Sequence, residues 1–487
     1  MASFNFALLT PEIVMAVLSL GLLVIGLLIP PGDRKGMFPL TIFALLGTLA
    51  YTFYDFFYVQ RAAFLQGMYM HDQFAVYFKI LFLIAALLVV ASSKGYVQKF
   101  PAHRGEFYPL VLGATLGMMI MAGASDLITM YIGLELMTIT FYILVAYRTN
   151  DGKSSEAGIK YLVLGAASSA ILLYGISIIY GLTGSTQMFM IAQALGTDLS
   201  PATILATVFL LAGFGFKISL IPFHLWAPDI YEGAPTPVTA FLAVASKAAG
   251  FAALIRFYLL MMYSQTFSQA GQSLLLVLAA LTMIVGNLVA IPQKNIKRML
   301  AYSSIAQAGY MLIGVIAVSV PAVSTFIGGI KAVLFYAMIY VFANMGAFAV
   351  AIHVGQAQGS DEIKDFAGLA KRSPLAAAVM TASVLSLAGI PPLAGFVGKF
   401  YLFSAVMDQG YVWIAYVGFV MSMVSVYYYL SVVKVMYLTD GEGLPDVPVH
   451  GAAKFTMVFT FVVTFALGIY PTPLAQMAIA AASSLVK

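Results

Sequence analysis

Residues 211–250 read LAGFGFKISLIPFHLWAPDIYEGAPTPVTAFLAVASKAAG, and the class of the fold is decided there. Lys217 stands inside an apolar segment, Pro222 interrupts it, an acidic, proline-rich turn follows, and Lys247 stands near the middle of the next apolar segment. A lysine inside a bilayer costs roughly 2.5 to 3.5 kcal/mol on insertion scales, so a buried pair requires partners, water or a task. A proline in mid-helix removes a donor and frees a carbonyl one turn earlier, which lipid tolerates only where protein or a water-filled cavity satisfies the freed group. Lysines beside a broken helix therefore predict a hydrated path across a membrane.

Composition agrees with a polytopic membrane protein. Of 487 residues, 62% are hydrophobic and 9% charged, against about 25% charged in a soluble domain, and the mean hydropathy is +0.97. The net charge of +5 would suit a nucleic-acid binder. Most Lys and Arg, however, fall in short loops between apolar runs, so topology accounts for them and no nucleic-acid partner is expected. The absence of cysteine excludes disulfides, thiolate catalysis and Cys-ligated iron–sulfur or zinc sites in this chain. The start, MASFNFALLTPEIV, lacks a basic leader and a small-residue cleavage site, so the first apolar run is expected to be retained.

Apolar runs of about 20 residues predict an all-α bundle of about 14 transmembrane helices between residues 10 and 470, followed by a short amphipathic tail from Thr472. Loops of one parity carry Arg34, Lys35, Lys94, Lys99, Arg104, Arg148, Lys153, Lys294, Lys297, Arg298, Lys364, Lys371 and Arg372; the others hold little beyond Arg61 and the terminal Lys487. The positive-inside rule makes the basic loops cytoplasmic and puts both termini on the opposite face, periplasmic if the membrane is a bacterial inner membrane.

Basic residues inside the spans are not equivalent. Lys79, Arg256 and Lys434 lie within about two turns of a predicted helix end, where a long side chain snorkels to the interface; Lys331 also lies near the start of its span. Lys217, Lys247 and Lys399 sit deeper. Glu135 is the only carboxylate deep within a predicted span, with Glu12 and Asp55 near helix ends and Asp126 at a tight turn. A Glu facing a Lys in low dielectric holds the Lys charged, and its withdrawal lets desolvation neutralise it. Such a pair is a natural proton gate; the plainer reading is a structural ion pair.

The run SLAGIPPLAGFVGKFYLFSAV (386–406) repeats the theme with Pro391, Pro392 and Lys399. Two proline-interrupted spans in corresponding halves are the sequence mark of an inverted-repeat transporter. The correspondence is inexact, since Lys217 precedes its proline by five residues and Lys399 follows Pro392 by seven. The chain divides into an N-terminal three-helix segment (1–106), a first repeat (107–260), a second, inverted repeat (261–440) and a C-terminal helix and tail (441–487). Between the repeats, IPQKNIKRMLAYSSIAQAGYM opens a helix rich in Ser, Gln and Tyr, which line a wet channel or hydrogen-bond between helices. His224, beside the first break, is either a proton relay or a structural donor.

Four stretches carry a resemblance: PFHLWAPDIYEGAPTPVTAFL (222–242), QKNIKRMLAYSSIAQAGY (293–310), LAGIPPLAGFVGKFYLF (387–403) and GLELM (133–137). Together they resemble the antiporter-like membrane subunits of proton-translocating NADH:quinone oxidoreductase, respiratory complex I, over nearly the whole chain. The GLELM form favours the subunit N branch over the sister branches M and L. The resemblance implies fourteen helices in two inverted five-helix repeats with helices 7 and 12 broken. It places a proton relay on Glu135, Lys217, Lys247 and Lys399, with His224 supporting. It implies no cofactor in this chain, with FMN, iron–sulfur clusters and quinone in partner subunits, and membrane partners that include the sister antiporter-like subunits. Proton flux would be driven by quinone reduction elsewhere in the complex. Alternatives of the same class are the homologous subunit of a photosynthetic ferredoxin-dependent complex I, a membrane-bound hydrogenase or a multisubunit Na+/H+ antiporter. An alternative of another class is a non-conducting membrane scaffold.

Overall fold

The computed structural model describes residues 5–59, 61–98, 104–195, 200–261, 265–318, 323–449 and 451–486. Lys99 and Lys487, counted in the loop asymmetry, lie outside the described residues. The helices are α1 (Thr10–Leu28), α2 (Met37–Tyr58), α3 (Gln73–Val97), α4 (Arg104–Gly123), α5 (Leu127–Val145), α6 (Gly152–Thr183) and α7 (Met188–Leu195). Then follow α8 (Pro201–Lys217), α9 (Trp226–Gly233), α10 (Thr236–Phe241), α11 (Lys247–Met261), α12 (Gln265–Ala290), α13 (Ile296–Ile316) and α14 (Val323–Gln358). The last are α15 (Leu369–Arg372), α16 (Pro374–Ala388), α17 (Ala394–Met407), α18 (Val412–Leu438), α19 (Gly451–Ile469) and α20 (Thr472–Ser483). A small hairpin of β1 (Ala62–Phe64) and β2 (Tyr69–His71) joins α2 to α3.

Among the described residues, 12 helices are long and apolar enough to cross a membrane by length and composition, while α8, α16 and α17 are shorter. The three short ones mark the two expected breaks. The first falls one turn earlier than Pro222, because a proline ring clashes with the carbonyl four residues before it and biases its predecessor out of the helical region. Lys217 is consequently the last residue of α8, where a cation meets the negative end of the helix dipole. Groups released by the break are recovered from neighbours: Ile221 N donates to Thr282 Oγ1 of α12 at 3.1 Å, and Trp226 Nε1 donates to Phe216 O at 2.8 Å. At the second break Gly389 ends α16 at φ 88°, a conformation that suits glycine.

The buried centre is built from α3, α11, α13 and α14, and α14 packs against α3, α13, α16, α17, α19 and α20. The outer helices turn apolar side chains outward, among them Leu28, Phe43, Ile159, Tyr416 and Phe455, as a surface against lipid or neighbouring subunits requires. The tail expected to be amphipathic is α20, which buries Leu474, Ala475 and Ala478 against α3 and α14. Beyond it, Ser484 Oγ accepts a hydrogen bond from Phe74 N.

The snorkelling reading fails for two of the basic residues. Lys79 is fully buried and lies 2.8 Å from Glu12 Oε1, so Glu135 is not alone among deep carboxylates. Arg256 is buried against Asp72 with contacts of 2.8 and 3.0 Å and donates through Nε to Ala122 O at 2.7 Å. Distance from a helix end misjudges both, because the β1–β2 hairpin and α1 cover that end of the bundle. Lys434 is exposed as expected, and Lys331 is half-buried with its ammonium 4.2 Å from the Tyr401 ring.

Candidate functional site: buried lysines beside two helix breaks

Three lysines are buried at or next to the breaks, with Lys217 2%, Lys247 1% and Lys399 3% exposed. The end of α8 carries Lys217 toward α5, where its ammonium donates to Thr138 Oγ1 at 2.5 Å. Glu135 lies one turn before Thr138, on the same helix face. It is half-buried, its Oε1 has no hydrogen-bond partner, and among the described residues it makes no ion pair with Lys217. The Lys217 ammonium thus meets the Thr138 hydroxyl, one helical turn from Glu135. Thr138 in turn donates to Leu134 O at 2.6 Å.

Lys247 follows a π-helical turn, Leu242–Ser246, that interrupts the helix at mid-span. Such a turn re-aims the side chains after it and is frequent at functional positions. The Lys247 ammonium has no hydrogen-bond partner and lies 5.9 Å from the Tyr231 ring centre. One turn further on, Gly250 lets Ile218 of the first break approach closely: a Cβ there would lie 2.6 Å from Ile218 Cγ2. The first turn of α11 is thus seated on Ile218, just after Lys217. His224 stands half-buried in the turn of the break, its Nδ1 without a partner, and makes no hydrogen bond to the lysines.

Lys399 is held by the second break. Its ammonium donates to the freed Ala388 carbonyl at 3.1 Å and to Ser422 Oγ at 2.8 Å, and it lies 4.5 Å from the Tyr310 ring centre. A cavity of 250 Å³ lined by Lys399, Phe396, Phe400, Phe403, Phe419 and Ser422 adjoins it.

The polar helix expected between the halves is α13, which presents Ser303, Ser304, Gln307 and Tyr310 at helical spacing, all buried. Gln307 Nε2 donates to the Leu387 carbonyl at 3.0 Å, and Tyr336 donates to Gln307 Oε1. Ser303 and Tyr429 share a hydrogen bond of 2.5 Å; Tyr310 and Tyr428 both reach Asn287 at 3.1 Å. At the end nearer Lys247, the hydroxyls of Tyr231, Ser304 and Tyr340 are buried together. Of the two alternatives expected for α13, interhelical bonding is the one its Ser303, Gln307 and Tyr310 contacts display.

Sequence reading missed Thr138, Asn287, Ser422, Tyr336, Tyr428 and Tyr429, which complete these contacts. On the side of the basic loops, α9 meets a charged cavity of 180 Å³ lined by Lys153, Glu156, Lys160, Asp229, Glu232 and Arg298. Arg298 bonds Asp229 at 2.7 Å and Glu232 at 3.1 Å. Among the described residues no group of His, Asp and Glu could hold a metal ion.

Residues 124–425 match the family described as NADH:quinone oxidoreductase/Mrp antiporter, TM. The chain is 75% identical over 496 aligned positions, covering 100% of both chains, to NADH-quinone oxidoreductase subunit N of Desulfitobacterium hafniense. A solved chain in respiratory complex I from Thermus thermophilus is 34% identical, with a TM-score of 0.81 over 96% of this chain and 99% of that one. A chain of an archaeal membrane-bound sulfane sulfur reductase has a TM-score of 0.89 at 24% identity, covering 99% of this chain and 98% of its own, a likeness of fold alone.

Proposed function

Because the chain belongs to the subunit N family of NADH-quinone oxidoreductase, the antiporter-like, proton-translocating membrane subunits of complex I, we propose that its protons move along Glu135, Lys217, Lys247 and Lys399. The observation that carries this is the placement of three nearly inaccessible lysines at two helix breaks, with the polar side of α13 between them. An ammonium in an apolar interior is costly unless paired, and retaining three of them implies a task. Lys217 gains or loses its proton under control of Glu135 and Thr138; Lys247, without a fixed partner, is the mobile middle station. The α13 hydroxyls and amides pass the proton toward Lys399, whose ammonium the Ala388 carbonyl and the Ser422 hydroxyl hold in place. His224 assists at the first break.

In this reading α8 with α9, and α16 with α17, are the interrupted helices 7 and 12 of a fourteen-helix arrangement, and 107–260 and 261–440 are inverted repeats. The basic loops face the cytoplasm of a bacterial cell, with both termini periplasmic. The charged cavity at Asp229 and Arg298 is then the cytoplasmic mouth. FMN, iron–sulfur clusters and quinone act in partner subunits, and the outward apolar faces serve lipid and the sister antiporter-like subunits.

The test is the whole complex in liposomes carrying Lys217→Ala or Glu135→Ala. Assembly with NADH oxidation but a reduced proton yield supports the relay. Full proton yield overturns it, and loss of assembly in charge-neutral, shape-conserving variants would mark a scaffold.

A further inference from the structure

Outside the relay, the first three helices bury a second acid–base pair. Glu12 of α1 is 5% exposed and Lys79 of α3 is 0% exposed. Lys79 Nζ lies 2.8 Å from Glu12 Oε1, and the Tyr69 hydroxyl of β2 donates to the same oxygen. The carboxyl is thus lopsided: Oε1 is engaged twice, while Oε2 is buried with no donor. Lys79 likewise has no well-aligned acceptor.

The nearby Asp72–Arg256 pair supplies an internal contrast. There both carboxylate oxygens accept from the guanidinium, Asp72 Oδ1 also caps Ala75 N at 2.8 Å, and the arginine Nε donates to Ala122 O. A carboxylate engaged at both oxygens in this way fixes structure and leaves no free oxygen for another proton. Glu12 does have room. A neutral carboxylic acid with its proton on Oε2 keeps the Tyr69 hydrogen bond on Oε1, so the pair accepts one proton without rearranging its neighbours.

A route to the surface is built into β2. Alternate strand residues share a face about 7 Å apart, and Tyr69 and His71 are the two buried residues of that strand. His71 Nε2 lies 3.2 Å from Asp55 Oδ2 of α2, a carboxylate still partly exposed, and His71 Nδ1 is buried without a partner. An imidazole takes a proton on one nitrogen and releases it from the other. The remaining charged groups acting on Tyr69 are Asp72 and Arg256. The charged residues of α4, which packs on α1 and α3, lie in its first turn.

We propose that Glu12, Lys79 and Tyr69 form a second proton-binding site, separate from the relay, that exchanges with the aqueous phase on the side opposite the basic loops through His71 and Asp55. It lies in the three-helix segment 1–106, which the repeats do not include. It shares with the relay reading only the driven complex in which it is measured.

The test is infrared difference spectroscopy of the intact complex during NADH-driven turnover. Glu12→Gln, which keeps the Tyr69 hydrogen bond, should erase one deuterium-sensitive carboxyl C=O band. Lys79→Gln should erase the same band by keeping Glu12 protonated throughout, and His71→Ala should retain the band but slow its rise severalfold. An unchanged carboxyl spectrum in Glu12→Gln and Lys79→Gln overturns the site. Lys247→Ala, read in parallel by proton yield, tests the relay independently: normal pumping there removes the relay and leaves the Glu12 result standing.

Discussion

At the scale of single residues, the proposed relay turns on the hydroxyl of Thr138, which accepts from the Lys217 ammonium one helical turn from Glu135. Thr138→Val leaves the Lys217 ammonium without its acceptor, and an orphaned buried donor costs about 1–3 kcal/mol. The variant should pump fewer protons per NADH oxidised, and Thr138→Ser should restore the yield; a wild-type yield in Thr138→Val would show that the contact does not matter. The lysines were legible in the sequence because a charge in an apolar run stands out by its cost alone. Thr138 and Ser422 were not, since small hydroxyls return hydrogen bonds to their own helices, as Thr138 does to Leu134 O, and give no outward sign of their second partner. Lys79 was misjudged for a related reason: its position in α3 suggests access to the interface, and only the fold reveals Glu12 beside it.

At the scale of elements, the two breaks were readable from Pro222, Pro391 and Pro392, because proline acts on its own helix regardless of context. What fills each break was not readable. Thr282, Gln307 and Ser422 come from distant segments, and so do the β1–β2 hairpin contacts that close over Glu12. The second break also depends on Gly395, where a Cβ would lie 1.7 Å from Ser386 O, a backbone atom that cannot yield. Gly395→Ala should therefore lower the amount of assembled complex and its thermal unfolding temperature. Gly21→Ala, with nothing within 4 Å of the added carbon, should leave both unchanged. Equal behaviour of the two variants would mean that the second break tolerates displacement.

At the scale of the whole molecule, the concentration of Lys and Arg on one set of loops predicts a single orientation in the membrane. The chain has no cysteine, so one introduced thiol reports on one position. Lys371→Cys and Arg61→Cys, both at exposed sites, should be labelled by a membrane-impermeant maleimide from opposite sides of sealed vesicles, Lys371→Cys from the cytoplasmic side. Labelling of both from one side, or in the reverse sense, would overturn the assignment of the termini. The apolar outer surface described above was legible from composition, whereas its division between lipid and neighbouring subunits is a property of the assembly.

The hydrogen bond from Phe74 N to Ser484 Oγ joins positions 410 residues apart. Phe74 lies in the first turn of α3, where backbone donors lack partners within the helix. Its neighbour Ala75 is capped at once by Asp72, but Phe74 must wait for a residue 410 positions later. The ribosome and the insertion machinery thus handle a buried central helix whose start stays unfinished until Ser484 is added, so a nascent chain halted before Ser484 should keep that end open to a protease or an amide-exchange probe.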